Sequence, residues 1–237
     1  MIIHGDSLEV LKTLEDNSID LIVTDPPYQI DNTKAGGNSS LAKSFQNMNN
    51  EIENLNITKG FNLKILDELV RVNKKINMYF FCNKAQIPMY LDYFVKGLDC
   101  SFDIIKWVKP NAVPTYNNKY LSDTEYCLYF RKGGYCNPQN YQDASTLYMD
   151  NINMQDKKLY KHPTIKPIKL IEKLIRNSSK IGDIVLDPFL GSGTTVNACI
   201  NLNRKYIGIE INEEYYKIAK DREQRALGNT GLFKEIG

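Results

Sequence analysis

The 237-residue chain has few of the residues that build metal or disulfide frameworks. Its histidines number two, His4 and His162, and its five cysteines (Cys82, Cys100, Cys127, Cys136, Cys199) are odd in number, scattered, and form no CxxC pair. A zinc site or disulfide scaffold is therefore not expected, and most of the cysteines are expected to be buried small hydrophobes. Nothing approaches the roughly 20-residue apolar run of a membrane span, and the first residues carry no basic leader, so a cytoplasmic protein without membrane contact is expected. A net charge of +2 is too small to argue for a polyanionic partner by itself. The charge is unevenly placed, however: from Lys106 to Lys166 there are nine bases against five acids. A basic excess in one region can meet a phosphate backbone, although on charge alone a solvated surface with a mild bias is the better explanation.

The length suits one well-buried domain with an insertion. Short β-rich runs alternate with amphipathic stretches, which predicts an α/β fold with a mostly parallel sheet under helices. Strands are expected at Ile2-His4, Asp20-Thr24, Asn77-Cys82, Asp103-Val108, Glu125-Arg131, Ile184-Asp187 and Tyr206-Glu210. Helices are expected after Asp6-Ser7, where Leu8, Leu11 and Leu14 share a face, and over 61–72, from Pro167 onward, over 194–202 and over 213–227. Two stretches break this rhythm. Residues 29–56 are crowded with Asn, Gly and Ser and read as a mobile loop, whereas 111–160 holds one convincing strand and reads as an insertion.

Two motifs carry chemistry. In Leu186-Asp187-Pro188-Phe189-Leu190-Gly191-Ser192-Gly193-Thr194-Thr195 an apolar strand gives way to a glycine turn that opens a helix. Gly191 and Gly193 let backbone approach a ligand where a Cβ would clash, and the helix start offers unpaired N–H groups. The next strand ends on Glu210, placed to accept from ribose hydroxyls. A lone GxG is weak; strand, GxG, helix, strand and acid in that order form a nucleotide-type signature. The plain alternative is a tight turn with a surface glutamate. A dinucleotide site is the nearer competitor, but the full GxGxxG spacing is missing.

The second motif is Asp25-Pro26-Pro27-Tyr28, directly after the apolar Leu21-Ile22-Val23. Prolines remove N–H donors and set φ, which leaves carbonyls free to accept. A carboxylate, a carbonyl and an aromatic face together suit a planar ring bearing an amino group. Such an amine is a poor nucleophile because its lone pair is delocalised into the ring. Accepting both of its protons, at Asp25 and the Pro26 carbonyl, favours the pyramidal form that can attack a methyl group. Seen alone, the tetrapeptide is a proline-stiffened turn.

With both motifs in this order the chain resembles the amino-methyltransferases of DNA modification, in the permuted β-class arrangement where DPPY precedes the target-recognition region and FxGxG comes late. The resemblance covers nearly the whole chain outside residues 29–56 and 111–160, and implies one methyltransferase domain over 1–237 with target recognition in 111–160 and the mobile loop in 29–56. It implies a Rossmann-like, seven-stranded, mostly parallel sheet, with one antiparallel strand that Glu125-Arg131 could supply. It implies S-adenosylmethionine as cofactor and a flipped-out adenine, methylated at N6, in double-stranded DNA. By resemblance Asp25, Pro26, Pro27 and Tyr28 are catalytic, and Asp6 meets the cofactor's adenine. Asp187, Phe189, Gly191, Ser192, Gly193, Thr194 and Thr195 form its binding loop, with Asp25 nearby, and Glu210 holds its ribose. His162, Thr164 and Lys166, in the stretch Lys161-Pro167, are assigned to its methionine end. The amine attacks directly, so His162 is not required as a general base and is expected to be either structural or cofactor-contacting. Trp107 and the many tyrosines are expected mostly in packing, with one or two free to stack on bases.

N4-cytosine methylation uses the same geometry; aspartate at the first motif position favours adenine. Methylation of a glutamine amide or an RNA base is a further rival, as is a catalytically silent DNA-binding subunit, which predicts loss of cofactor residues that are all present. A homodimer and a cognate restriction endonuclease are compatible with the resemblance, and the sequence leaves both open, along with the DNA site recognised.

Overall fold

The computed structural model describes residues 1–28, 60–112, 120–151 and 165–232. Eight strands form one sheet among these residues: β1 (Ile2–His4), β2 (Leu21–Thr24), β3 (Ile76–Cys82), β4 (Ser101–Val108), β5 (Thr124–Lys132), β6 (Leu147–Met149), β7 (Ile184–Asp187) and β8 (Lys205–Glu210). Their spatial order is β1-β8-β7-β2-β3-β5-β4-β6. Every pairing is parallel except the two made by β5, which runs antiparallel to both β3 and β4. Glu125-Arg131 is thus the antiparallel strand, as expected. The expected count of seven is corrected to eight by β6, a three-residue edge strand parallel to β4 whose side chains are mostly exposed. The one strand expected within 111–160 is β5, which is paired along both edges.

The helices are α1 (Ser7–Leu11), α2 (Lys64–Val72), α3 (Ile87–Tyr90, continuing as a π-helical Leu91–Gly97), α4 (Tyr141–Ala144), α5 (Ile168–Ser178), α6 (Thr194–Asn201) and α7 (Glu213–Leu232). Strand alternation sorts the core into two layers. Ile22, Met78, Phe80, Leu128 and Phe130 face α1, α2 and the Tyr90–Phe94 turn on one side. Leu21, Val23, Tyr79, Phe81, Cys127 and Tyr129 face α5 and α6 on the other. Trp107 is buried in this second layer, with its indole N–H donated to the Asp150 carbonyl at 3.1 Å. Four cysteines are buried, as expected, and Cys136 is partly exposed. No described helix is long and apolar enough to cross a membrane. The expected loop 29–56, and His162 and Thr164, lie outside the described residues.

Candidate active site

β2 continues on one side into β3, whereas its neighbour β7 continues on the other into β8. The sheet order therefore reverses between β7 and β2, and the crevice beyond the carboxyl ends of such strands is where α/β sheets bind ligands. A cavity of about 660 Å³ opens there. That volume lies within the roughly 300–1,000 Å³ typical of small-molecule and cofactor sites. Its walls include Asp6, Asp25, Pro26, Pro27, Tyr28, Lys166, Asp187, Phe189, Gly191, Ser192, Thr194, Thr195 and Glu210, so two motifs separated by most of the chain share one chamber.

The glycine loop after β7 is held from several directions. Asp187 is buried at the strand end and accepts from Thr24 Oγ1 at 2.8 Å, the Phe189 N–H at 3.1 Å and Thr195 Oγ1 at 2.6 Å. Burial pushes its carboxyl up to about 6, against the pull of the two threonine hydroxyls. These bonds stitch β2 to β7 and close the loop on itself, so Asp187 shapes the cavity wall as well as lining it. Arg222 of α7, also buried, donates to the Ser192 carbonyl at 2.7 Å and to Ser192 Oγ at 3.1 Å. Gly193 has φ of +88°, and a Cβ there would lie 3.1 Å from the Ala219 backbone of α7. The lack of a side chain at Gly193 therefore serves the packing of the loop on α7.

Two carboxylates stand at the β1–β8 end. Asp6 caps α1, with Oδ1 accepting from the Glu9 N–H at 3.1 Å. Glu210 ends β8 and is buried, accepting from the Gly191 N–H on Oε2 and the Asn212 N–H on Oε1, both at 2.7 Å. Burial raises its carboxyl above the usual range despite those N–H donors. Between the carboxylates and the loop lies an apolar surface that includes Phe189, whose ring packs 5.6 Å from that of Phe61. Acceptors at one end and ring faces beside them fit a ribose and a purine, so the donor set suits a nucleoside-bearing cofactor.

At the other end Asp25 receives two donors. Tyr28 Oη donates to Oδ1 at 2.8 Å, and Lys166 Nζ forms a close ion pair with Oδ2. Lys166 is buried and also lies 3.4 Å from Glu125 Oε2, which β5 presents from the far side. Lys109 closes the row by pairing with Glu125 Oε1. Burial raises the Asp25 carboxyl and prevails over the attraction of Lys166. For Glu125 burial also pushes upward, but Lys166 and Lys109 outweigh it and hold the carboxyl low. Lys166 is raised: burial pulls it down, and the two carboxylates more than reverse that. Gln86 Nε2 donates to the Pro27 carbonyl at 3.3 Å and pins the tetrapeptide from behind.

Lys166 was expected at the cofactor's methionine end; it reaches the cavity wall, but its ammonium group is committed to Asp25 and Glu125. Phe61, Arg222, Gln86 and Glu125 carried no sequence signal, because each acts through a tertiary contact made from outside both motifs. The basic excess of 106–166 also looks different in three dimensions. Lys109 and Lys166 are spent on the site's own carboxylates, and Lys132 donates to the Leu98 carbonyl.

The chain is similar to known proteins in sequence and fold. A family model described as DNA methylase matches residues 19–221. The Type II methyltransferase M.HpaI of Haemophilus parainfluenzae is 34% identical over 93% of this chain and 73% of its own length. The DNA adenine methyltransferase YhdJ of Escherichia coli (strain K12) is 31% identical over 93% of this chain and 81% of its own. Among solved structures, the M1.HpyAVI–SAM complex superposes with a TM-score of 0.67 at 29% identity, covering 94% of this chain and 98% of that one.

Proposed function

The chain belongs to the N6/N4 DNA methylase family, and from that premise we propose that it methylates N6 of an adenine flipped out of double-stranded DNA. The cofactor is S-adenosylmethionine, which supplies an electrophilic methyl group when bound. Asp6 and Glu210 would hold its adenosine part and the Phe189–Gly191–Ser192 loop would cradle it, which the acceptors and ring surface of that end of the cavity support.

The observation that carries the reading is the placement of Asp25 and Glu210 on the walls of one cavity. Asp25 and Pro26 line the cavity, and the Asp25 carboxylate and the Pro26 carbonyl would each accept one proton of an exocyclic amine entering it. That pairing draws the nitrogen lone pair out of the ring and toward the methyl group. Burial raises the affinity of Asp25 for a proton, which makes it a stronger acceptor and a place to hold the proton that the methylated amine sheds. Tyr28 and the proline faces form the flat surface against which an extruded base would stack, at an unstacking cost of a few kcal/mol. Aspartate at the head of the motif and the resemblance to the adenine enzyme YhdJ support adenine over cytosine. Kinship with Type II methyltransferases supports a partner endonuclease cutting the same DNA site.

The test is mass spectrometry of nucleosides from DNA incubated with the purified protein and S-adenosylmethionine. N6-methyladenine is the expected product; N4-methylcytosine alone would reassign the base, and no methylated base would overturn the activity.

A further inference from the structure

Lys166 and Glu125 form an arrangement that neither cofactor binding nor base stacking uses. Four charged groups alternate in sign in one row, Lys109, Glu125, Lys166 and Asp25, and the row ends at the cavity. Its members come from four different parts of the fold: the end of β4, the start of β5, the approach to α5 and the end of β2. Lys166 is only 6% exposed, and its ammonium group lies 5.1 Å from the centre of the Phe81 ring and 5.7 Å from that of Tyr28. Stability alone is a weak reason to keep such a row, since well-packed apolar residues often replace a buried ion pair at no loss. Its terminus on the proposed acceptor gives it a chemical use.

We infer that Lys166 and Glu125 are positioning residues for methyl transfer, acting as an opposed pair that sets the orientation and the basicity of Asp25. The inference rests on the reading of Asp25 as the group that accepts from the target amine. With Oδ2 gripped by Lys166 and Oδ1 touched by Tyr28, the carboxylate plane is fixed and one lone pair of Oδ1 remains for a substrate proton. Lys166 alone would keep Asp25 charged but would also weaken it as an acceptor. Glu125, itself backed by Lys109, draws part of that cationic charge to the other side. The two residues therefore pull the proton affinity of Asp25 in opposite directions.

Among the described residues, the remaining groups that face Asp25 are Tyr28 beside it, Cys82 of β3, Tyr90 of α3, Cys127 of β5 and Asp187 of β7. Burial pushes the Cys82 thiol up to about 12, and it pushes Cys127, Tyr28 and Tyr90 well above their ordinary values, so these stay neutral. Asp187, at about 6, titrates in the working range, but it is common to all variants compared.

The test is the pH dependence of single-turnover methyl transfer, with saturating S-adenosylmethionine and duplex DNA, for the native protein, Lys166→Gln, Lys166→Arg and Glu125→Gln. In Lys166→Gln the acid limb should move to higher pH, because two carboxylates then face each other without a cation. In Glu125→Gln it should move to lower pH. Lys166→Arg should return the limb most of the way to its native position. Transfer at neutral pH should slow by about tenfold or more in Lys166→Gln, while the Kd for S-adenosylmethionine stays within about twofold of native because neither group is asked to hold the cofactor. Limbs that stay in place, or move in the same direction, would overturn the inference. If Lys166→Gln does not fold, as judged by lost cofactor binding, Glu125→Gln and Lys166→Arg still decide it. Asp25→Asn is run alongside. Retained turnover there would sink the reading of Asp25 itself, whereas a silent Asp25→Asn with unmoved limbs in the others would sink only the role given to Lys166 and Glu125.

Discussion

Both oxygens of Glu210 are engaged before any ligand arrives, one by the Gly191 N–H and one by the Asn212 N–H. The residue thus organises the loop it faces while it also lines the cavity. Glu210→Ala should therefore weaken S-adenosylmethionine binding by about ten- to a hundredfold, the scale of hydrogen bonds to a charged group. Calorimetry checks this, and an unchanged Kd would refute the placement. Residues such as Glu210 and Asp25 are legible in sequence because their chemistry is tied to local order: an acid closing a strand, an acid opening a pair of prolines. Lys166 is a different case. Its partner Asp25 lies 141 positions away, and nothing within the Lys161-Pro167 stretch shows that the ammonium group turns from cofactor to carboxylate. Glu125 is harder still, since it reads as one of the polar residues at the ends of a strand with an apolar middle.

The elements were legible where their periodicity is unmixed. β1 and β7 fall on the expected residues, and the other interior strands differ by one or two at their ends. β6 escaped because its three residues are mostly exposed, and only pairing with β4 makes them a strand. The π-helical turn over Leu91–Gly97 escaped because its one buried residue, Phe94, is supported by tertiary contact with Phe80 and Phe130. The loop-to-helix junction at α6 offers a sharp test of packing. Gly193 has a left-handed backbone and sits against α7, whereas Gly228, within α7, has open space around it. Gly193→Val should cost roughly 2 kcal/mol or more through backbone strain and collision with Ala219. Gly228→Ala should instead be neutral or gain up to about 1 kcal/mol. Denaturant unfolding compares the two, and equal effects would contradict the account of the junction.

At the scale of the whole molecule, the fold brings a late cofactor-type loop beside an early tetrapeptide by placing β7 next to β2. The order of motifs in the chain predicted two halves of one site, and the sheet order supplies the join. The surface that meets DNA was the least legible part. Residues 113–119 and 152–164 lie outside the described structure, and two of the bases counted toward a phosphate contact are turned inward to Glu125 and Asp25. What the molecule presents is a chamber with nucleoside-type acceptors at one end and a buried, oriented carboxylate at the other. The central claim is that this carboxylate carries the methyl transfer while the rest of the chamber holds the cofactor. Transfer of labelled methyl from S-adenosylmethionine to duplex DNA by Asp25→Ala, at cofactor concentrations shown by calorimetry to saturate that variant, tests it most directly. The account predicts that cofactor binding persists and that transfer falls by at least about a hundredfold. Transfer at the native rate by the cofactor-loaded variant would contradict it.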